Sequence, residues 1–352
     1  MCWKRLVVIG ALVGVIAAIL LARRRRLQPH VIVENETAEA ETFTKPVLII
    51  NPGSGSGKAG KIDLVGAAAE LGIETIVREK GQKIKKLANG AVDAGCDHLM
   101  IAGGDGSLAR VANVAIKRGV AFSCVPTGTR NHFAMDLGLD RSHPAKALAA
   151  AFKGVPVSVD VGRINGRIFL NNVSFGVYAD AIANPNYRDD RTLSLLEASK
   201  DTIESTSSTF SIRDDAGVVY DDIGMLLASN NPYHFIGAPD FAGRARLDTG
   251  RLGAAMVARV PDDMPSHRRA EIRQRSISTL VVDSEQKKIR VGIDGSLHKV
   301  KAPVTIGIDR RALTVVLPLD VVKQQLASQV DPTDEALSFL SGAGTGSGAA
   351  DG

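Results

Sequence analysis

Aromatic residues are scarce in this sequence: one Trp, four Tyr and ten Phe in 352 positions. So few ring faces argue against base stacking on nucleic acid. Excess charge is scarce as well. The formal charge is +5, and much of it is the cluster Arg23, Arg24, Arg25 and Arg26, so the remaining chain is nearly balanced and no nucleic-acid partner is expected. Cysteine is limited to Cys2, Cys96 and Cys124. They have neither metal-ligand spacing nor a disulfide pattern, which suits a reducing compartment.

A continuous apolar run is present once, from Leu6 to Ala22, with Lys4 and Arg5 before it and the four arginines after it. No small-residue cleavage site follows in a polar context, so the run reads as a short transmembrane helix rather than a cleaved signal. The arginine excess on the far side puts the long remainder in the cytoplasm, as a single-pass protein of the cell membrane. Residues 1–26 are thus expected to be an anchor with a basic flank. Residues 27–44, rich in glutamate, are expected to be a linker.

From residue 45 the pattern alternates between strand and helix. Pro46–Ile50 is a buried-strand run that ends in Asn51-Pro52-Gly53-Ser54-Gly55-Ser56-Gly57-Lys58. This turn fails as a P-loop, because Pro52 stands where the first glycine belongs and Ala59 follows Lys58 where Ser or Thr is required. It still offers N–H donors, the Ser54 hydroxyl and Lys58 to a phosphate. Past a strand at Ile73–Val77, a second strand with such a turn, Leu99–Ala102, ends in Gly103-Gly104-Asp105-Gly106-Ser107 ahead of a helix. Glycines allow close backbone approach, and a helix start favours anions. Asp105 beside a phosphate needs a cation or a sugar hydroxyl between them, which points to Mg2+. A third such strand, Ala121–Val125, ends in Pro126-Thr127-Gly128-Thr129-Arg130-Asn131. Short connections between alternating elements predict a mostly parallel sheet with helices on both faces, and its strand ends gather at one edge where ligands bind. Residues 156–320 carry many short strands with turn signals, an antiparallel sandwich pattern.

The three turns, in this order and spacing, resemble the diacylglycerol kinase catalytic family, which includes bacterial lipid kinases and sphingosine kinases. The resemblance implies an ATP-binding catalytic domain at 45–155 and a β-sandwich lipid-substrate domain at 156–320, with a partly disordered tail at 321–352. It implies phosphate or nucleotide contacts from Asn51, Ser54, Gly55, Lys58, Gly103, Gly104, Gly106, Ser107, Gly128, Thr129 and Asn131. Asp105 would assist Mg2+, and Asp248 in Leu247-Asp248-Thr249-Gly250 would hold a structural metal. Two positions depart from the family pattern. Ser296 in Asp294-Gly295-Ser296 stands where a glutamate general base is expected, and His132 stands where aspartate follows the asparagine. A serine hydroxyl is too weak a base to replace a carboxylate. Asp294 is then the first candidate for proton acceptance, with His132 second and Asp105 as the third catalytic group.

The expected protein is an ATP- and Mg2+-dependent lipid kinase. It transfers the γ-phosphate to a hydroxyl of a diacylglycerol-like acceptor in the bilayer, is membrane-anchored, and leaves a homodimer open. A nucleotide- or lipid-binding protein of kinase fold with lost activity is the alternative that His132 and Ser296 favour. NAD kinase, which shares the Gly103–Gly106 stretch, is the third reading.

Overall fold

A computed structural model describes residues 39–55, 62–176, 179, 209–233, 244, 246–258 and 272–327. Its first half follows from strands whose two faces are both apolar. In β1 (Pro46–Ile50), Val47 and Ile49 enter one core while Leu48 and Ile50 enter another. In β3 (His98–Gly103), Leu99 and Ile101 take the first side, Met100 and Ala102 the second. Period-2 alternation with no polar face requires cover on both sides.

Helices supply that cover. α2 (Ile84–Asp93) and α3 (Asp105–Arg118) close one face through Ile84, Ala88, Leu108, Val111 and Ala115. α1 (Leu64–Glu70) and α5 (Pro144–Phe152) close the other through Leu64, Ala68, Leu148 and Ala151. Their ends are locally encoded. Asp63 caps α1 by accepting from Gly66 N at 2.8 Å, Gly119 ends α3 in the left-handed region at φ 63°, and Pro144 opens α5. With β2 (Glu74–Val77) and β4 (Ala121–Pro126), the parallel order is β2-β1-β3-β4.

The second half is antiparallel. It comprises β5 (Val155–Ile164), β6 (Arg167–Phe169), β7 (Asn172–Gly176), β8 (Phe210–Asp214), β9 (Val219–Asn230), β10 (Leu252–Ala258), β11 (Ile272–Ile277), β12 (Thr279–Asp283), β13 (Lys288–Ile293), β14 (Ser296–Lys301) and β15 (Val304–Leu317). Their core includes Phe169, Phe175, Leu226, Met256, Leu280 and Ile306. The sequence pattern reads 304–308 and 313–317 as two strands. They are one, with a register irregularity between Asp309 and Leu313, where Arg311 has φ 48° and its N–H donates to Asp160. This break lets β15 pair with β12 at its start and run beside β4 at its end, Val315 opposite Phe122. A hydrogen-bonded path therefore runs from β14 to β2 without interruption. The helix after it, α6 (Leu319–Ala327), buries Val322 in the same core as Leu108 and Phe122.

A second tie joins the halves through the short helix α4 (His132–Asp136). Arg244 is fully buried and donates to Asp136 at its end. The same guanidinium donates to the carbonyls of Leu170 (2.6 Å) and Asn230 (2.7 Å) and to Asn171 Oδ1 (3.1 Å). A buried cation is tolerated when its charge and its donors are both satisfied, as here.

The expected transmembrane helix is corrected. Residues 6–22 lie outside the described residues, and among the described residues no helix is long and apolar enough to cross a membrane. The longest is α3 with 14 residues, roughly 21 Å at about 1.5 Å per residue against a hydrocarbon core of about 30 Å. Its exposed face also carries Arg110, Lys117 and Arg118. The single-pass anchor, the bilayer as a partner and the placement at the cell membrane are accordingly not carried forward. The linker (except residues 39–44), Lys58 and the tail beyond 327 also lie outside the described residues.

Two outcomes test this architecture. Leu317→Ala, at the end of β15, is expected to cost about 2–5 kcal/mol in urea unfolding and to raise amide exchange in β4 and β5 above that in β10. Arg244→Met is expected to cost about 3–5 kcal/mol, because it strands the Asp136 carboxylate; Arg244→Met with Asp136→Leu should recover much of that loss.

Candidate active site

The register of the parallel strands brings the three turns level. Ile50 lies opposite Ala102, and Gly103 opposite Pro126. Asn51 then ties the first turn to the second, its N–H donating to Ala102 O (2.9 Å) and its Nδ2 to Ser107 Oγ (2.9 Å). Arg78, just past β2, donates to Asn51 Oδ1 at 3.2 Å. The second and third turns touch through backbone alone. A Cβ on Gly128 would collide with Gly104 Cα and approach Asn131 Oδ1 to 2.7 Å. Asn131 fastens the third turn, accepting from Gly128 N and donating to Gly128 O, both at 2.7 Å. It is buried in the left-handed region at φ 54°, a conformation that Asn tolerates. Ser54 is buried with its N–H on Asn51 O, and Gly55 follows at φ 60°. Thr129 is exposed, whereas the Thr127 hydroxyl is buried with no partner among the described residues.

These features suit a polyphosphate. Gly104 is the N-cap of α3 and brings no side chain across the helix start. The first N–H groups of a helix lie outside its ladder and carry the positive end of its dipole. Gly106 faces open space, with Arg110 Nη1 at 3.7 Å and Ser296 Oγ at 3.9 Å from where a Cβ would sit.

Two carboxylates meet beside the turns. Asp105 opens α3, but its Oδ1 accepts from Phe133 N (3.2 Å) and Asn171 Nδ2 (3.1 Å), and its Oδ2 from His132 N (3.3 Å). Asp105 therefore caps α4 as well, and Oδ2 is its less engaged oxygen. Asp294 and Gly295 have φ 44° and 74° and form the two-residue turn between β13 and β14, a geometry that Asp-Gly favours. The Asp294 carboxylate accepts three backbone N–H groups, from Leu170 (3.0 Å), Asn171 (2.8 Å) and Asn172 (3.3 Å). Enclosure nevertheless outweighs those bonds. Burial, with the negative charge of Asp105 adding to it, raises its pKa from 3.8 to about 6. Asn171 thus touches both carboxylates, Asp294 with its backbone and Asp105 with its side chain.

The remaining expected residues have definite places. His132 sits at the first position of α4, and its described contact with Asp105 is made by its backbone. Ser296 begins β14 and lies over Gly106. Asp248 is held by Arg246, Nε to Oδ1 at 2.9 Å and Nη2 to Oδ2 at 3.0 Å. That bidentate pair supplies the positive charge a metal would bring. Among the described residues no group of three or more His, Cys, Asp or Glu is gathered for a metal ion; Asp240, the neighbouring carboxylate that could join Asp248 at a metal, lies outside the described residues. The donor set fits Mg2+ at Asp105, since Mg2+ is commonly held by one or two carboxylates together with substrate phosphates.

Sequence reasoning missed Asn171, Arg244 and Arg78. An Asn-Asn pair between two strands, Asn171-Asn172, was the one local signal. The roles of Arg244 and Arg78 depend on contacts 108 and 27 residues away.

Residues 45–164 match the diacylglycerol kinase catalytic domain. The "Probable lipid kinase YegS-like" of Klebsiella pneumoniae (strain 342) is 30% identical over 146 residues, 40% of this chain and 48% of that protein. The "Diacylglycerol kinase" of Mycobacterium tuberculosis (strain ATCC 25618 / H37Rv) is 32% identical over 125 residues, 34% of this chain and 40% of that one. The chain thus spans about half or less of the length of these curated relatives. A crystal structure of a diacylglycerol kinase from Bacillus anthracis str. Sterne superposes with a TM-score of 0.57 at 20% identity, covering 80% of this chain and 100% of that one, which shows a shared fold. Residues 45–164 are a diacylglycerol kinase catalytic domain, and through them this chain is a homologue of the bacterial lipid kinases.

Proposed function

We propose that the protein is an ATP- and Mg2+-dependent lipid kinase that transfers the γ-phosphate to the hydroxyl of a diacylglycerol-like acceptor. The observation that carries this reading is the bridge made by Asn171 between Asp105 and Asp294, beside the glycine turns. The catalytic domain identified above is of a family that uses ATP and Mg2+. Within this proposal, residues 45–155 serve the nucleotide and residues 156–320 the acceptor. Asn51, Ser54, Gly55, Gly103, Gly104, Gly106, Ser107, Gly128, Thr129 and Asn131 serve the phosphates, with Lys58, outside the described residues, as a further candidate.

Asp294 is the proton acceptor in this reading. Its Oδ2 accepts one N–H, from Leu170, where Oδ1 accepts two. The acceptor hydroxyl oxygen forms a bond to the γ-phosphorus, the bond from that phosphorus to the β-bridging oxygen breaks, ADP departs, and the hydroxyl proton passes to Asp294. Ser296 orients the hydroxyl, and His132 is the secondary candidate for the proton. Asp105 Oδ2 would hold Mg2+, whose chemistry is neutralisation of charge on the phosphate oxygens. Phosphoryl transfer relies on alignment and charge compensation more than on base strength, so a carboxylate titrating near 6 suffices without the glutamate absent at position 296.

A binding protein of kinase fold without turnover is the second reading, favoured by Ser296 and by the three N–H groups already on Asp294. Labelled ATP and diacylglycerol separate the two. Radiolabelled phosphatidic acid, lost in Asp105→Ala and on chelation of Mg2+, supports the kinase; nucleotide binding with no product supports the second.

Asp294→Asn is expected to lower kcat by about 10²- to 10⁴-fold while nucleotide affinity holds. The wild-type rate should fall about tenfold per pH unit below 6, because the base must be ionised, and Asp294→Asn should abolish that dependence in any residual rate. Stability has the opposite sign. A carboxyl raised from 3.8 to about 6 on folding contributes stability that is fully present below pH 3.8 and is lost as pH rises through 6. Urea unfolding across pH 4–7 should show that loss in the wild type and not in Asp294→Asn.

A further inference from the structure

A cleft of about 380 Å³ opens beside Asp294, between the outer face of α3 and the β5–β6 hairpin. Its volume falls within the range of small-molecule sites, about 300–1,000 Å³. Four cations border it: Lys85 of α2, Arg110 and Lys117 of α3, and Arg167 of β6. Asp294 is the one carboxylate that borders it, and its oxygens accept three backbone N–H groups. Among the described residues none of the four cations forms an ion pair with a carboxylate. Other surface arginines do: Arg118 pairs with Asp93, Arg163 with Asp309 and Arg246 with Asp248.

The cations are arranged rather than scattered. Gly106, Arg110, Asn113 and Lys117 follow one another at intervals of three or four residues, a single stripe down α3. Arg110 is anchored to the head of that stripe by donating to Gly106 O at 2.8 Å. Arg167 faces it from the hairpin and donates to His298 Nδ1 at 3.1 Å. That bond makes His298 Nδ1 an acceptor, so a neutral ring carries its proton on Nε2, which is buried without a partner among the described residues. Burial first, and the charge of Arg110 second, hold Arg167 below the usual arginine value. The same causes, burial and the charges of Arg167 and Arg110, hold His298 below its ordinary value. Four cations share this cleft with one bordering carboxylate, Asp294, whose charge acts on Arg167, so positive charge is in excess there and favours a bound anion. Arginine's planar fork matches phosphate oxygens, as it does carboxylates, in bidentate geometry.

We propose that this cleft is a second phosphate-binding site, in which a phosphate monoester or polyphosphate is held between Arg110 and Arg167 with Asn113, Lys85 and Lys117 along its length. It deepens the kinase reading, because Gly106, Asp294 and Ser296 belong to both sites, yet binding here does not require turnover. Two sources of phosphate fit the chemistry: the nucleotide's own tail, or a phosphate already carried by the acceptor's headgroup.

Pyrophosphate titrated calorimetrically into the full chain tests the proposal. The expected result is binding that Arg110→Gln and Arg167→Gln each weaken by about 10- to 100-fold, that Arg167→Lys weakens less, and that Arg213→Gln, on β8, leaves unchanged. Competition assigns the source. Displacement by a non-hydrolysable ATP analogue points to the nucleotide, and simultaneous binding of that analogue with displacement by a short-chain lysophosphatidic acid points to the acceptor. A readout that needs no variant is the arginine Nε–H spectrum of the wild type, where pyrophosphate should shift the Arg110 and Arg167 signals. Absence of binding at millimolar pyrophosphate, equal affinity in both glutamine variants, or an unmoved arginine spectrum would overturn the site. Phosphatidic acid formation that persists in Arg110→Gln with no pyrophosphate binding in the wild type would sink this site alone and leave the kinase reading standing.

Discussion

The Leu170–Asn172 backbone is the constraint on which the site depends. Three successive N–H groups close on the Asp294 carboxylate, and the Asn171 side chain reaches Asp105. Asp105 is held on its other side by the His132 and Phe133 N–H groups at the start of α4. Three backbone donors are rigid because the strand pairing on either side fixes them, β6 with β5 and β7 with β9 and β13. Rigid donors hold a charge in place at no reorganisation cost when a reaction moves a proton. Arg244 backs this segment from beneath by bonding Leu170 O, Asn171 Oδ1 and Asp136. The chain of contacts thus runs from the end of α4, through Arg244 and Asn171, to both carboxylates.

The same economy explains why β15 is long. One strand begins in the antiparallel half and ends as the edge neighbour of β4. The irregularity at Arg311 permits the change of partner, and Asp160 steadies it by accepting from Arg311 N and Gly250 N. A site assembled from both halves needs their relative position fixed to fractions of an ångström. Continuous hydrogen bonding through β15 and the Arg244–Asp136 pair provide two independent ties. Asp248 shows the complementary case. Arg246 satisfies it within two residues, so that loop is organised by an ion pair of its own.

Charge is distributed by function in the same way. Near the turns the donors are backbone N–H groups, which are neutral as groups and cost little when empty. Along the cleft face of α3 the donors include full cations, Arg110 and Lys117.

Much of this was legible along the chain. Alternating apolar strands and periodic helices announce a two-faced parallel sheet, because period 2 and period 3.6 are properties of local sequence. The three glycine-bearing turns were legible as Gly-, Ser- and Asn-rich runs after apolar strands, and Asn131 suits its left-handed backbone, but the need for Gly at 104 and 128 is a contact between two turns. The apolar run at 6–22 misled, since hydropathy alone turned it into an anchor that no described helix supports. What the sequence by itself determined is which segments become strands, helices and phosphate-sized turns. Only the tertiary structure decided that Asn171 joins two carboxylates 189 residues apart (105 and 294), that Arg246 pairs with Asp248, and that Arg110 and Arg167 border one cleft. The physical reason is range. Backbone preference acts over a few neighbours, whereas hydrogen bonds and charge act over a few ångströms between residues that only folding brings together.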